Sequence, residues 1–317
     1  MTFTEYLIGK REQISWGPET TYGTGVTPTR IIGKDVVITP DWSKGWQEVV
    51  SAGADTRNIN SMVKGPESLN FTMEFIVTDW VFLKYIFGAS GDVNSGDYYT
   101  HTISLLNTDL SFTLQWAKRG ASDIVYTLSG CTIIKGTINF TKASGPGKEG
   151  HIKVNCDCVA QSVDKGSTVT SLTNTDTPYQ YRSVALTLNG SEIVEVNSGN
   201  LVFDTGINLI DSRYCNHTLD VKLGEPVPKT FRITGTANIN VKDSTLFDLW
   251  DAATVVGSTN TLVFTRGSDD DCTFTFTGMY PTSPGVDGTQ MDGVNNQDFN
   301  YRVVSVAPVV KDQITTY

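Results

Sequence analysis

Histidine is scarce in this chain. Only His101, His151 and His217 occur in 317 residues, and no glycine-rich phosphate loop, nucleophile elbow or H-E-x-x-H run accompanies them. Cysteine is limited to Cys131, Cys156, Cys158, Cys215 and Cys272. Five is odd, and the spacings fit neither a disulfide framework nor a zinc pattern, so free thiols in a reducing compartment are expected. No apolar run approaches the ~20 residues that a membrane helix needs. The opening "MTFTEYLIGKREQ" has no apolar core of signal-peptide length. A soluble protein made in a cytoplasm is therefore the expectation. Basic residues are outnumbered 24 to 34, which gives a formal charge of -10. A chain this acidic lacks the clustered Lys and Arg that grip phosphates, so nucleic-acid binding through the backbone is excluded. The imbalance is uneven. Residues 1–165 hold 15 basic and 17 acidic side chains, and the remainder holds 9 and 17.

The few chemistry-bearing residues form no convincing constellation. A strand would place Cys156 and Cys158 on one side, near His151. Ordinary strand packing explains that spacing as well as metal ligation does. "SDDDC" (Ser268–Cys272) offers carboxylates to a cation, but it falls where a hairpin turn is expected. Paired carboxylates for glycoside chemistry are set by distance in space, and nothing singles a pair out. No catalytic, cofactor or metal site is expected, and the chain does not read as an enzyme.

Short alternating segments and abundant Thr, Ser, Asn, Asp and Gly are what the chain does have. With hydrophobic residues at 39%, these indicate a folded, mostly-β protein. Two helical runs interrupt the strands. "VTDWVFLKYIFG" (Val77–Gly88) has Thr78 or Asp79 as candidate cap, an apolar body and Gly88 as terminator. "VKDSTLFDLWDA" (Val241–Ala252) has Asp243 or Ser244 as cap and Leu246, Phe247, Leu249 and Trp250 as its expected core side.

The flanks of these helices also match. "LNFTMEFIV" (Leu69–Val77) aligns with "ITGTANINV" (Ile233–Val241). "SFTLQWAKRGASDIVYTLSG" (Ser111–Gly130) pairs with "TLVFTRGSDDDCTFTFTG" (Thr261–Gly278), and "HIKVNCDCVA" with "FNYRVVSVAP". The helices lie 164 residues apart but Gly130 and Gly278 lie 148 apart, so the second copy is about 16 residues shorter after its helix. A period this long fits a duplicated domain rather than a solenoid. The expected organisation is an N-terminal arm (1–34), a first domain (35–163), a polar linker (164–178), a second domain (179–310) and a short tail (311–317). Each domain is an antiparallel β-sandwich or half-barrel packed on one short helix.

Aromatic residues carry the remaining signal. Trp42 and Trp46 in "PDWSKGWQEVV" flank a Ser-Lys-Gly turn within an expected loop from Pro40 to Asn60. Large apolar groups on a loop mark a contact, though core packing is an equal alternative.

The stretch "WGPETTYGTGVTP" (Trp16–Pro28), followed by "VKGPESLNFTMEF" and a helix ending "YIFG", resembles the major tail tube proteins of long-tailed bacterial and archaeal viruses. The resemblance implies domains whose inner sheets join around a channel, in rings that stack into a tube for viral DNA. Two-domain members imply three chains per pseudo-hexameric ring and a non-contractile, siphovirus-like tail. Implied partners are further copies of the chain, together with tape-measure, tail-tip and tail-terminator proteins. DNA would pass through the lumen without specific binding, and no membrane or cofactor is involved. The implied location is the virion tail, after synthesis in the host cytoplasm. Trp16, Tyr22, Trp42 and Trp46 are candidate contacts between subunits, with residues 1–34 and the Pro40–Asn60 loop reaching a neighbour. The counterpart of that loop in the second copy is taken as Asn197–Cys215. A tail-tip or baseplate hub component is the alternative, and a carbohydrate-binding module a more distant one.

Overall fold

The computed structural model describes residues 12–49, 61–107, 110–120, 122–142, 150–193, 196–207, 223–227, 229–240, 244–252, 255–257, 259–283 and 295–317. In chain order the first half supplies β1 (Glu12–Pro18), β2 (Arg30–Ile31), β3 (Lys34–Val49), β4 (Ser61–Ile76) and α1 (Phe82–Phe87). It continues with β5 (Gly88–Asn94), β6 (Tyr99–Leu105), β7 (Phe112–Lys118), β8 (Ile124–Thr141), β9 (Lys153–Val159) and β10 (Ser162–Gly166). A 3-10 turn at Tyr181–Ser183 opens the second half. There follow β11 (Val184–Leu188), β12 (Ser191–Ile193), β13 (Val196–Asp204), β14 (Arg232–Asn240) and α2 (Thr245–Asp251), then β15 (Asn260–Gly267), β16 (Asp270–Ser283) and β17 (Asn296–Asp312). The fold is mostly β, as expected, and its strand pairings are antiparallel.

β8 organises the first half. Its opening residues pair with β7 and β10, and beyond Gly130 it changes partners to β9 on one side and β13 on the other. Gly130 has φ +65, a conformation costly for any residue with a side chain. The strand therefore bends here and serves two sheet layers, with the core between them.

The order of pairings in the first half is met again in the second. β3–β4–β9–β8–β7–β1 runs as β13–β14–β17–β16–β15–β11. β17 spans the lengths of both β9 and β10. Gly278 bends β16 at φ +65, at the place of Gly130. The aligned glycines thus share one backbone role. The final strands do not align as expected: the ladders set Lys153 of β9 against Asn296 of β17, five residues from the sequence match. Five is odd, so the sequence match sets the inward side chains of one strand against outward positions of the other.

Two ladders join the halves, β13 with β8 and β17 with β6. β13 pairs with β8 from Ser198↔Thr141 to Asp204↔Lys135, which makes a continuous sheet β3–β4–β9–β8–β13–β14–β17–β16. The extra residues after α1 form the β5–β6 hairpin, whose β6 pairs with β17 at Val309–Asp312. The expected linker is partly structured, because β10 takes its first residues. Further along, Gln13 Nε2 donates to the Thr170 carbonyl and the Thr170 N–H donates to Gln115 Oε1 at 2.8 Å.

Both helices differ in detail from the expectation. α1 starts from Val81 without a side-chain cap; Asp79 Oδ1 instead accepts the Val81 N–H at 3.1 Å. Gly88 closes α1 in the left-handed region as expected, at φ +100. All but Lys84 of α1 is buried, and Ile86 lies over Gly136, where a Cβ would collide with it. α2 starts from Ser244, whose hydroxyl donates to Asp248 Oδ2 at 2.8 Å. Asp243 lies outside the described residues. Leu246 is buried, but Phe247 is exposed, contrary to its expected place on the core side.

Candidate assembly surfaces and the clamps that shape them

The expected loop from Pro40 is a strand as far as Val49. β3 pairs with β4 over nearly its whole length, including Trp42↔Leu69 and Trp46↔Lys64. The remainder of that loop, 50–60, lies outside the described residues, as do 1–11 of the expected arm and Cys215 and His217. Few apolar residues mark the strand because the outer edge of β3 has no ladder partner among the described residues. Such an edge offers a row of open N–H and C=O groups to another chain. Pro40 sits on it, where a missing N–H is best tolerated.

The four aromatic candidates divide. Trp16 lies in the core of its own chain, 4.9 Å from the Tyr85 ring and 5.4 Å from Phe112. Tyr22 is tucked beside Gly130, and burial first, then nearby Cys131, Glu19 and Glu225, push its hydroxyl pKa up. Trp42 is half-buried against Tyr126 at 5.7 Å and Trp116 at 6.5 Å. Trp46 faces solvent at 54% exposure, on the same hairpin as exposed Met62.

Residues 12–31 pack as part of the fold. β1 pairs with β7 along its length and β2 with β1. Glu19 fixes the loop that follows β1. Its carboxylate accepts from Ser111 Oγ at 2.7 Å, Thr113 Oγ1 at 2.8 Å, the Gly130 N–H at 2.9 Å and the Gly23 N–H at 3.0 Å. The acid of the Trp-Gly-x-Glu-x-x-Tyr-Gly run is therefore a clamp on the β8 bend. Four donors supply what a part-buried carboxylate loses on leaving water.

One broad surface remains open. The face of the continuous sheet turned away from the core presents Thr137 and Asn139 from β8, Ser198 and Asn200 from β13, Thr236 and Asn238 from β14, and Asp298 and Asn300 from β17. These side chains bond one another across strands: Thr236 Oγ1 donates to Asn300 Oδ1, and Asn238 Nδ2 to Asp298 Oδ1, each at 2.7 Å. Charges on this face are close to balance, with Asp157, Asp204 and Asp298 set among Lys135, Lys153 and Arg302.

Residues singled out for chemistry form no site. Cys131, Cys156, Cys158 and Cys272 are buried free thiols whose pKa values burial pushes up. No group of metal-ligating side chains occurs among the described residues. Asp270 and Asp271 of the "SDDDC" turn pair with Arg266 at 2.5 Å and Lys311 at 3.3 Å.

A cluster that the sequence did not reveal ties the halves together. His101 of β6 is buried between two carboxylates: Asp92 of β5 at 2.7 Å from Nδ1, and Asp312 of β17 at 3.1 Å from Nε2. The Tyr317 ring stacks on the imidazole with centroids 3.8 Å apart, and its hydroxyl donates to Asp312 Oδ2 at 2.5 Å. Burial alone would lower the His101 pKa. The hydrogen bonds and charges of Asp312 and Asp92 outweigh it and hold the pKa above 6.5. Nearby, burial raises the Asp79 carboxyl to about 6.

A pKa raised on folding gives stability that is full below ~6.5 and is lost as pH rises through the folded value. His101→Gln should therefore cost about 3 kcal/mol near pH 6, because buried Asp312 and part-covered Asp92 lose their cation. The gap to wild type should narrow toward pH 9. Denaturant unfolding of both proteins across that range checks this; a gap that stays constant or widens contradicts the charged clamp.

The described residues thus combine an open sheet edge on β3 with a solvent-facing tryptophan on a long hairpin. No curated protein matches its sequence. The phage tail tube protein family matches residues 9–303, nearly the whole chain. The protein belongs to the phage tail tube protein family.

Proposed function

We propose that three copies of this chain close into a ring, each contributing two copies of one tube domain, and that such rings stack into the tube that delivers viral DNA. The observation that carries the reading is the β8·β13 ladder, which joins the halves edge to edge. β13 holds the place in its half that β3 holds in the first. The partner that β13 finds in β8 is therefore the partner that β3 lacks, and the β16 of another chain can supply it. Unlike surfaces that repeat by rotation close into a ring. The recurring pairing order favours drawing the first unit from β1 rather than from residue 35, and the second from β11.

Family membership makes the protein a structural component of the virion tail and points to a non-enzymatic role. We extend this to a non-contractile, siphovirus-like tail, to synthesis in the host cytoplasm, and to contacts with tape-measure, tail-tip and tail-terminator proteins. The open Asn/Thr face is our choice for the channel wall. Neutral amides and hydroxyls release no counterions, and the few cations on the face stand among carboxylates, so a duplex gains little by stopping there. The surplus of acid in the chain then lies mainly elsewhere.

Negative-stain microscopy of concentrated wild-type protein tests the assembly. Hollow tubes with a regular ring repeat are expected, and single particles at every concentration contradict it. For the wall, Asn139→Lys with Asn200→Lys places two cations opposite each other on the β8·β13 ladder. Virions carrying this variant should eject DNA more slowly, and unchanged ejection would rule that face out as the channel.

A further inference from the structure

The two bends in β8 and β16 are alike in backbone and unlike in cover. At Gly130, a Cβ would meet Gln161 at 2.7 Å and the Tyr22 ring at 3.2 Å. Gln161 Nε2 donates to the Leu223 carbonyl at 3.1 Å, and Leu223 is buried to 3% exposure. Leu223 belongs to the connection between β13 and β14. Thr132, two residues past the bend, is 1% exposed. The second half's β13–β14 connection thus seals the first half's bend.

At Gly278 a Cβ would meet Val304 at 2.7 Å, so Val304 stands where Gln161 stands in the first half. The ladders likewise put Tyr280 at the place of Thr132. Here the surface is open: Val304 is 70% exposed and Tyr280 is 44% exposed. A groove lined by Phe231, Ile233, Arg302 and Val303 runs beside Val304. Apolar side chains therefore crowd a site whose counterpart is covered.

We propose that the β3–β4 hairpin of a second copy covers this face, with Trp46 of that copy packed on Tyr280 and Val304. The inference rests on the ring reading above. Three observations select this occupant. The segment that covers the first bend connects β13 to β14, and its counterpart is the hairpin joining β3 to β4. Carrying the Asp204↔Lys135 pairing across sets Ser43 of the second copy opposite Ser283, and the same antiparallel run brings its Trp46 to the level of Tyr280. Finally, Trp46 and Met62 lie on one face of the hairpin, since Trp46 faces Lys64 and Glu48 faces Met62. An exposed Trp on such a face is the kind of anchor that dominates protein interfaces.

Full-length protein carrying Trp46→Cys and Val304→Cys tests this under mild oxidation. Disulfide-linked species that stop at three chains are expected, with neither single variant nor a Trp46→Cys, Val93→Cys control rising above the wild-type background. Rings visible by microscopy without that linkage overturn the proposed contact and leave the ring reading standing. Ladders beyond three chains overturn it too, because they place the hairpin between rings. Absence of rings in wild type as well as variants overturns the underlying reading. Hydroxyl-radical labelling of unaltered protein gives an independent readout: Tyr280 and Trp46 should each lose at least about fivefold in labelling when monomers assemble, and unchanged labelling of Tyr280 counts against the contact.

Discussion

A β-strand carries hydrogen-bonding groups on both sides, and the architecture of this protein follows from where those groups find partners. β8 has a partner on each side along most of its length because it changes neighbours at Gly130. That change lets one strand close a sandwich at one end and extend a sheet at the other. The extension onto β13 fuses two similar units into one surface. β16 bends in the same way at Gly278 and meets β17, but the far side of its last residues meets no equivalent of β13 among the described residues. An edge that is filled once within the chain and left open once at its outside is the feature on which the proposed assembly rests.

The halves differ around this recurring order of pairings. The first half holds its bend with Glu19, whose four donors include the Gly130 N–H. The loop bearing that acid has no counterpart in the second half, where β11 turns at once through Asn189 and Gly190 into β12. The first half also adds the β5–β6 hairpin, which reaches β17 and places His101 between carboxylates from both halves. These additions bind the halves into one body and leave the two outer edges different from each other. In the proposed ring, such a pair of similar units would give six walls with three chains to position.

Much of this was legible in the residues, and the failures have physical causes. Gly130 and Gly278 could be matched because only glycine takes the left-handed conformation cheaply, so its position survives where side chains change. α1 was legible because its run is apolar on nearly every side. β3 was not, since half of it stands clear of the core and Pro40, Ser43, Lys44 and Gly45 break the alternation that identifies a strand. The last strands slipped by five residues because β17 runs on through the length of both β9 and β10 and carries no glycine to mark its register. Trp16 was singled out as a contact, but its indole fills the core between Tyr85 and Phe112. The His101 cluster was invisible, because Asp92, Asp312 and Tyr317 come together only when β6 pairs with β17.

The measurement that bears most directly on this account is the number of chains in one ring. Native mass spectrometry of isolated rings, with end-on class averages calculated without imposed symmetry, gives it. The account predicts three chains arranged as six similar lobes of two alternating kinds. Six chains in a ring, or three lobes in place of six, would contradict it.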